Sequence, residues 1–344
     1  MSIEKTRICT EKFFMQNHRE LHDINMSNVS SHHKQRLRAA FVTKKIWPKG
    51  SKIRIGFLGD GKEITKTPIE ELKVTSDSKI DPLQNEVAQM SIQQMIRKIV
   101  RERIQPLVNL DIDFVDDPQQ ANVRISFDPN GGAWSLVGTD SLNQKSGATM
   151  NLGWFDVATT IHEFGHMLGM IHEHQNPKGE KIKWDDSKVF EWAKSTQGWS
   201  EKTTEQNIIH HYNIESINGS SFDPESIMLY FFPASLTTNG VGTHQNLRLS
   251  GLDVMWIHSM YPSEHKITPQ EFYQQIYGEN IQSSIKKSSQ EATLFSKGFE
   301  INWKTIGIGI LIILMIIIIM SVIWWFISKL KHSKTKVGRY GNRN

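Results

Sequence analysis

The 344-residue sequence predicts an α+β domain followed by a single membrane-spanning helix. Three observations carry that expectation. Lys52–Phe57 and Ala121–Phe127 alternate apolar and polar residues with the two-residue period of strands. Asn85 to Gln105 places Val87, Met90, Met95 and Ile99 at the spacing of one helical face. Near the C-terminus, Thr305 to Ser328 runs for 24 residues without a charge, which at about 1.5 Å per residue covers roughly 36 Å, enough for the hydrocarbon core of a bilayer.

Taken in order, residues 1–45 are polar and rich in histidine, without periodicity, and read as an arm or pro-segment. Lys52–Phe57 is the first strand, and Phe57-Leu58-Gly59-Asp60 is a turn at its end. The helix over Asn85–Gln105 backs the sheet. Ala121–Phe127, Gly132–Gly138 and Thr149–Gly153 are further strands, and a second helix starts at about Asp156. Residues 175–225 are polar, with Trp184, Trp192 and Trp199 as scattered anchors of a mostly irregular C-terminal subdomain. Ser250 and Asp253 have the spacing of a capping pair and open a last helix, with Val254 and Ile257 facing the core. Residues 263–304 carry Lys, Gln, Ser and Glu and read as a polar stalk, partly helical.

The second helix carries the chemistry. Residues 162–172 read H-E-x-x-H-x-x-G-x-x-H. Histidines four apart lie on one helical face, so His162 and His166 can offer imidazole nitrogens to one metal ion. Gly169 can take φ > 0, end the helix and turn the chain so that His172 becomes a third ligand. Three neutral ligands with a fourth position open are the donor set of a catalytic zinc site. Glu163, beside a ligand, is placed to act as a general base on water. Further on, Ser226-Ile227-Met228-Leu229-Tyr230 begins 54 residues after His172 and follows the turn-prone Phe222-Asp223-Pro224-Glu225.

With these two motifs the chain resembles the metzincin metallopeptidases, and the Ser-Ile-Met-x-Tyr form resembles their astacin branch. The likeness runs from Ile46-Trp47-Pro48 to Met260-Tyr261-Pro262, about 215 residues, a size suited to one domain. It implies a zincin fold: a twisted mixed sheet, a backing helix and an active-site helix. It implies one zinc ion per chain, Met228 as an apolar floor beneath the histidines, and Tyr230 beside the metal as an oxyanion donor. It makes Trp134 and Ser135 part of an edge strand above the cleft, where an extended peptide substrate can add as another strand. There are departures. Met170 stands where astacins usually carry Phe, and His174-Gln175-Asn176-Pro177 replaces their Arg-x-Asp-Arg run. One cysteine replaces their two disulfides. The branch is therefore divergent and free of disulfides, and matrixin-like relatives stay open. Matrixins also use a pro-segment cysteine as an inhibitory thiolate. Arg7-Ile8-Cys9-Thr10 lacks the matrixin context, so Cys9 reads as an ordinary free thiol.

Composition sets the remaining bounds. The net charge of +4 is a property of the tail, because the last 17 residues hold six Lys and Arg and no acid; without them the chain carries −2. That excludes a nucleic-acid-binding surface as the source of the basic charge. Trp303, Trp324 and Trp325 flank the 305–328 span as interfacial anchors. The N-terminus shows no signal-peptide pattern. The basic tail argues for a cytoplasmic C-terminus, whereas the missing signal and single cysteine favour a cytosolic catalytic domain on a single-pass C-terminal anchor. The expected segments are thus 1–45, 46–262, 263–304, 305–328 and 329–344. The functional expectation is a membrane-anchored zinc endopeptidase acting on proteins or peptides. The alternative is a catalytically inactive metzincin fold that binds zinc and displays a peptide-binding module on the membrane.

Overall fold

The computed structural model describes residues 9–12, 41–72, 79–177, 182–210, 217–218, 222–262 and 267–297. The chain divides into two compact units, Met1–Gly298 and Phe299–Asn344, and every described residue belongs to the first. The expected membrane span over 305–328, the basic tail over 329–344 and most of the arm over 1–45 lie outside the described residues. No helix among the described residues is long and apolar enough to cross a membrane.

The elements in chain order are β1 (Thr10–Lys12), β2 (Phe41–Val42), β3 (Lys52–Phe57), α1 (Ile92–Ile99), β4 (Asp111–Phe114), β5 (Val123–Ser126), β6 (Trp134–Leu136), β7 (Met150–Asn151) and α2 (Val157–Met167). Then come α3 (Asp186–Gln197), α4 (Glu201–Thr204), β8 (Ile217–Asn218), α5 (Gly251–Met260), α6 (Pro269–Tyr277) and α7 (Ile281–Lys297). Six strands form one sheet in the order β1-β6-β7-β5-β3-β4. Every pairing in it is parallel except β6 with β7, so the sheet is mixed. β2 and β8 form a separate antiparallel pair.

The alternation in β3 does what its period requires: Ile53 and Ile55 are fully buried while Lys52 and Arg54 face solvent. The backing helix starts later than the apolar spacing suggests. Ser91 accepts from the Gln94 N–H and the Gln94 side chain accepts from the Ser91 N–H, a capping box that fixes the start of α1. The residues before it form a short 3-10 turn over Pro82–Glu86. β4 is an edge strand that the sequence reading passes over, because Asp111 and Asp113 mask its alternation. Its Phe114 stacks on Phe57 at 5.6 Å, with the Arg97 guanidinium 4.5 Å above. One core then joins the strands, α1 and α2, with Met95, Ile99, Ile125, Met150, Ile161 and Phe164 almost wholly buried.

Two expectations need correction here. The region after the zinc motif is more helical than the mostly irregular subdomain expected, since α3 and α4 lie within it and α3 packs Val189 and Ala193 into a second cluster with Tyr230 and Phe232. Nor is α5 the last helix, and the described part of the expected polar, partly helical stalk, residues 267–297, is packed against the domain. α6 and α7 pack on α5, and Phe272, Tyr273 and Ile281 join the main core. Tyr277 donates to Asp81, which also holds the buried Arg103 guanidinium at 2.7 and 2.9 Å. A few aromatic residues on one face outweigh the polar majority that suggested a stalk.

Three carboxylates, Glu173, Asp223 and Asp253, are buried close to one another. Asp223 accepts from Ser250 Oγ at 2.7 Å and from Ser288 of α7. Burial, and then the charge of Asp253, raise Asp223 to about 7. Burial likewise raises Asp253 and Glu173. A carboxyl group whose folded pKa exceeds its unfolded value binds its proton more tightly when folded. Its contribution to stability is complete below the unfolded value and is lost as pH rises through the folded one. For Asp223 that window runs from about 4 to about 7. Asp223→Asn removes this titration, so urea denaturation from acid to neutral pH should show the variant gaining on the wild type as pH rises. Parallel stability curves would contradict the assignment.

Candidate active site

α2 is built to hold a rigid site. Asp156 accepts from the Thr159 N–H at 2.6 Å and caps its start, and Gly169, at φ 101°, turns the chain beyond its end. His162 and His166 lie one turn apart on this helix and His172 arrives from the turn after it. The ligand atoms of the three rings lie within 4.8 Å of one another, and all three residues are buried.

Each ring has its Nδ1 tied outward. His162 Nδ1 donates to the Ile227 carbonyl at 2.8 Å and His166 Nδ1 to the Met170 carbonyl at 2.9 Å. His172 Nδ1 lies 3.2 Å from Gln175 Oε1. With those protons on Nδ1, the Nε2 atoms present lone pairs. His166 Nε2 and His172 Nε2 face each other at 3.0 Å. Two nitrogens on one zinc ion in tetrahedral geometry stand roughly 3.3 Å apart. His162 Nε2 is buried and has no hydrogen-bond partner among the described residues. Burial lowers His162 to about 4. Burial also lowers His166 and His172, with the neighbouring imidazoles adding to it, so all three rings are neutral at pH 7. The donor set fits zinc.

The other expected residues are placed as follows. Glu163 is fully buried on α2, next to His162. Met228 is buried beneath the helix. A Cβ at Gly165 would lie 2.6 Å from the Met228 sulfur, so glycine inside the motif lets the methionine floor reach the helix backbone. Tyr230 Oη lies 2.6 Å from His172 Nε2. Trp134 and Ser135 sit on β6, which lies between β1 and β7, with Trp134 half-buried; the Ser135 hydroxyl is buried and donates to the Leu136 carbonyl.

Residues that the motif does not announce complete the site. Gln175 orients His172. Asp253 accepts from the Ile227 N–H and Ser226 Oγ, both at 2.8 Å, and so holds the turn whose carbonyl orients His162. Glu173 accepts from the Asp223 N–H at 2.9 Å, and its own N–H donates to the Met228 carbonyl. Carboxylates buried against backbone N–H groups give no sequence signal beyond the Ser250/Asp253 cap itself.

The largest departure from expectation is Cys9. The sequence reads it as an ordinary thiol on a loose arm. In the fold it is 8 % exposed, and its sulfur, a His162 nitrogen and a Glu163 oxygen lie within 4.8 Å of one another. β1, which follows it, pairs in parallel with β6, matching Thr10 to Trp134 and Lys12 to Leu136. The sheet edge expected to receive a substrate is therefore occupied by the chain's own N-terminal segment. Arg7 and Ile8, which formed the context judged in the sequence, lie outside the described residues.

The chain is similar to several known proteins. The model of the Astacin peptidase family matches residues 84–261. A structure of myroilysin is 31 % identical, with a TM-score of 0.52, over 66 % of this chain and 100 % of that one. A second, crystal structure of myroilysin is 30 % identical over 64 % of this chain and 86 % of that one, with a TM-score of 0.42. High choriolytic enzyme 1, a hatching-enzyme zinc-protease from the medaka fish Oryzias latipes, is 16 % identical over 64 % of this chain and 95 % of its own, with a TM-score of 0.35. No curated protein sequence matches the chain.

Proposed function

The chain belongs to the astacin family of peptidases and carries its zinc metallopeptidase domain; from that premise we propose that it is a membrane-anchored endopeptidase cleaving internal bonds of protein or peptide substrates. The observation that carries the reading is the convergence of His162, His166 and His172, with Glu163 beside the first of them and Tyr230 beside the last.

The three histidines would hold the metal. Zinc, when bound, supplies a Lewis acid that polarises the scissile carbonyl and acidifies the attacking water. Glu163 takes a proton from that water and returns it to the leaving amine. Its burial on a capped helix keeps the carboxylate in place and excludes bulk water from the transfer. Tyr230 donates a hydrogen bond to the oxyanion as the carbonyl becomes tetrahedral. The Ile227, Met170 and Gln175 oxygens hold the imidazoles in one tautomer.

The test is cleavage of a mixed peptide library by the zinc-loaded chain, read by mass spectrometry. The Cys9→Ser variant is assayed beside it, because the thiol reaches the same atoms. Cleavage at internal bonds in at least one form is expected. A folded, zinc-loaded pair that cleaves nothing contradicts the reading and leaves a zinc-binding module without turnover. The membrane anchor rests on the uncharged run from Thr305 to Ser328 and on the tryptophans beside it. With it goes the proposal of a cytosolic catalytic domain. Carbonate extraction should leave the full chain in the membrane pellet, and recovery in the soluble fraction would refute the span.

A further inference from the structure

We propose, on the basis of the zinc-peptidase reading above, that Ser284 and Ser288 of α7 are positioning residues of the zinc site. They hold the 223–225 segment from which the methionine turn springs, and through it the His162 and His172 side chains.

α7 lies beyond residues 84–261, the stretch that the family model matches. Ile281, Ser284, Ser288 and Ala292 recur every three or four residues and are each 5 % exposed or less, so they form one buried helical face. A face that only filled space would carry hydrocarbon; two of these four side chains are hydroxyls, and each meets specific partners. Ser288 Oγ donates to one carboxylate oxygen of Asp223, and Ser250 Oγ donates to the other at 2.7 Å. Ser284 Oγ accepts from the Gly251 N–H at 3.3 Å, an N–H in the first turn of α5 that the helix itself leaves without a partner. It accepts from Tyr273 Oη at 3.0 Å and donates to Glu225 at 3.4 Å, while Lys287 reaches the other oxygen of that carboxylate at 2.9 Å. The approach is close: a Cβ at Gly251 would stand 3.1 Å from both Ile281 and Ser284.

The segment held in this way reaches two of the three histidines. On one branch, Asp223 donates its N–H to Glu173 Oε1 at 2.9 Å; Glu173 follows His172 in the chain and donates its own N–H to the Met228 carbonyl at 3.0 Å. On the other, the Asp223 carboxylate accepts from the Glu225 N–H at 3.0 Å and the Asp223 carbonyl from the Ser226 N–H at 3.2 Å, which closes the turn. The next residue, Ile227, orients His162 through its carbonyl. Without Ser288 the buried Asp223 carboxylate loses a donor, and without Ser284 the start of α5 and Glu225 lose theirs. The turn that fixes the imidazoles then loosens, although neither serine touches metal or substrate.

The test compares the full chain with a Ser284→Ala, Ser288→Ala double variant and with Phe272→Leu. Phe272 is 1 % exposed in the main core on α6, so its substitution loosens the same helical pair without removing a donor from the network. Zinc affinity, measured by competition with a chelator, should fall about tenfold in the double variant, as for other losses of outer contacts, and stay at the wild-type value in Phe272→Leu. In the metal-free proteins the His162 Nδ1 proton should exchange slowly with solvent in the wild type and in Phe272→Leu, and measurably faster by NMR in the double variant. Unchanged zinc affinity in the double variant, an equal loss in Phe272→Leu, or equal exchange in all three overturns the positioning role. Neither readout needs turnover. A wild type that cleaves nothing while these differences hold would sink the peptidase reading and leave the role of α7 standing; a cleaving wild type without them would do the reverse.

Discussion

Glu163→Gln should lower kcat/KM for peptide cleavage by about 10²- to 10⁴-fold, the usual contribution of a positioned general base, while zinc content and thermal stability stay near those of the parent. Glutamine has nearly the shape of glutamate, so the packing of α2 around this fully buried position is kept. What it loses is the ability to accept a proton from the attacking water. The loss should fall on kcat rather than KM, because the group acts in the transition state and not in peptide binding. The comparison belongs in the Cys9→Ser background, where the thiol no longer competes for the same space. A variant that keeps its kcat would move the base elsewhere. One that loses zinc along with activity would make Glu163 a structural residue.

Asp253→Ala should cost more stability than either Glu163→Gln or Asp223→Asn, roughly 3–5 kcal/mol. The carboxylate is wholly buried and accepts from three donors: the Ile227 N–H, Ser226 Oγ and the Ser250 N–H. Alanine orphans all three and removes one arm of the capping box of α5. The damage reaches the metal by a short route. Ile227 donates its N–H to Asp253 and offers its carbonyl to His162 Nδ1. Losing one partner frees the peptide that orients the other, and removing such outer contacts typically weakens metal binding by about 10- to 100-fold. Urea denaturation and zinc competition measured on the same variant separate the two effects. Lost stability with unchanged zinc affinity would show that His162 is oriented by the helix alone.

How far the sequence discloses this molecule depends on the range of the interactions involved. The zinc motif is local: four residues of helix and one glycine turn fix the relation of His162, His166 and His172, so the cluster is legible before any fold is known. β3 is legible because its alternation is undisturbed, and the cap of α5 because Ser250 and Asp253 are three apart. The docking of α6 and α7 is not, since it depends on Tyr277 reaching Asp81 and on Arg248 reaching Glu279 across the surface of the domain. Cys9 is the extreme case. Its neighbours in sequence say nothing, and its meaning comes from His162, Glu163 and Tyr230, more than 150 residues away. The proposed membrane span is the opposite: it rests on composition alone, and residues 305–328 lie outside the described residues.

The central claim, that metal held by His162, His166 and His172 drives peptide hydrolysis, is tested most directly by metal removal and return. The Cys9→Ser chain is stripped with a chelator, freed of it, and titrated with zinc while peptide cleavage is followed. The account predicts no cleavage in the stripped protein and full recovery at one zinc ion per chain, with His166→Ala failing to recover at that ratio. Cleavage that survives complete removal of metal, or recovery that does not depend on His166, would contradict it.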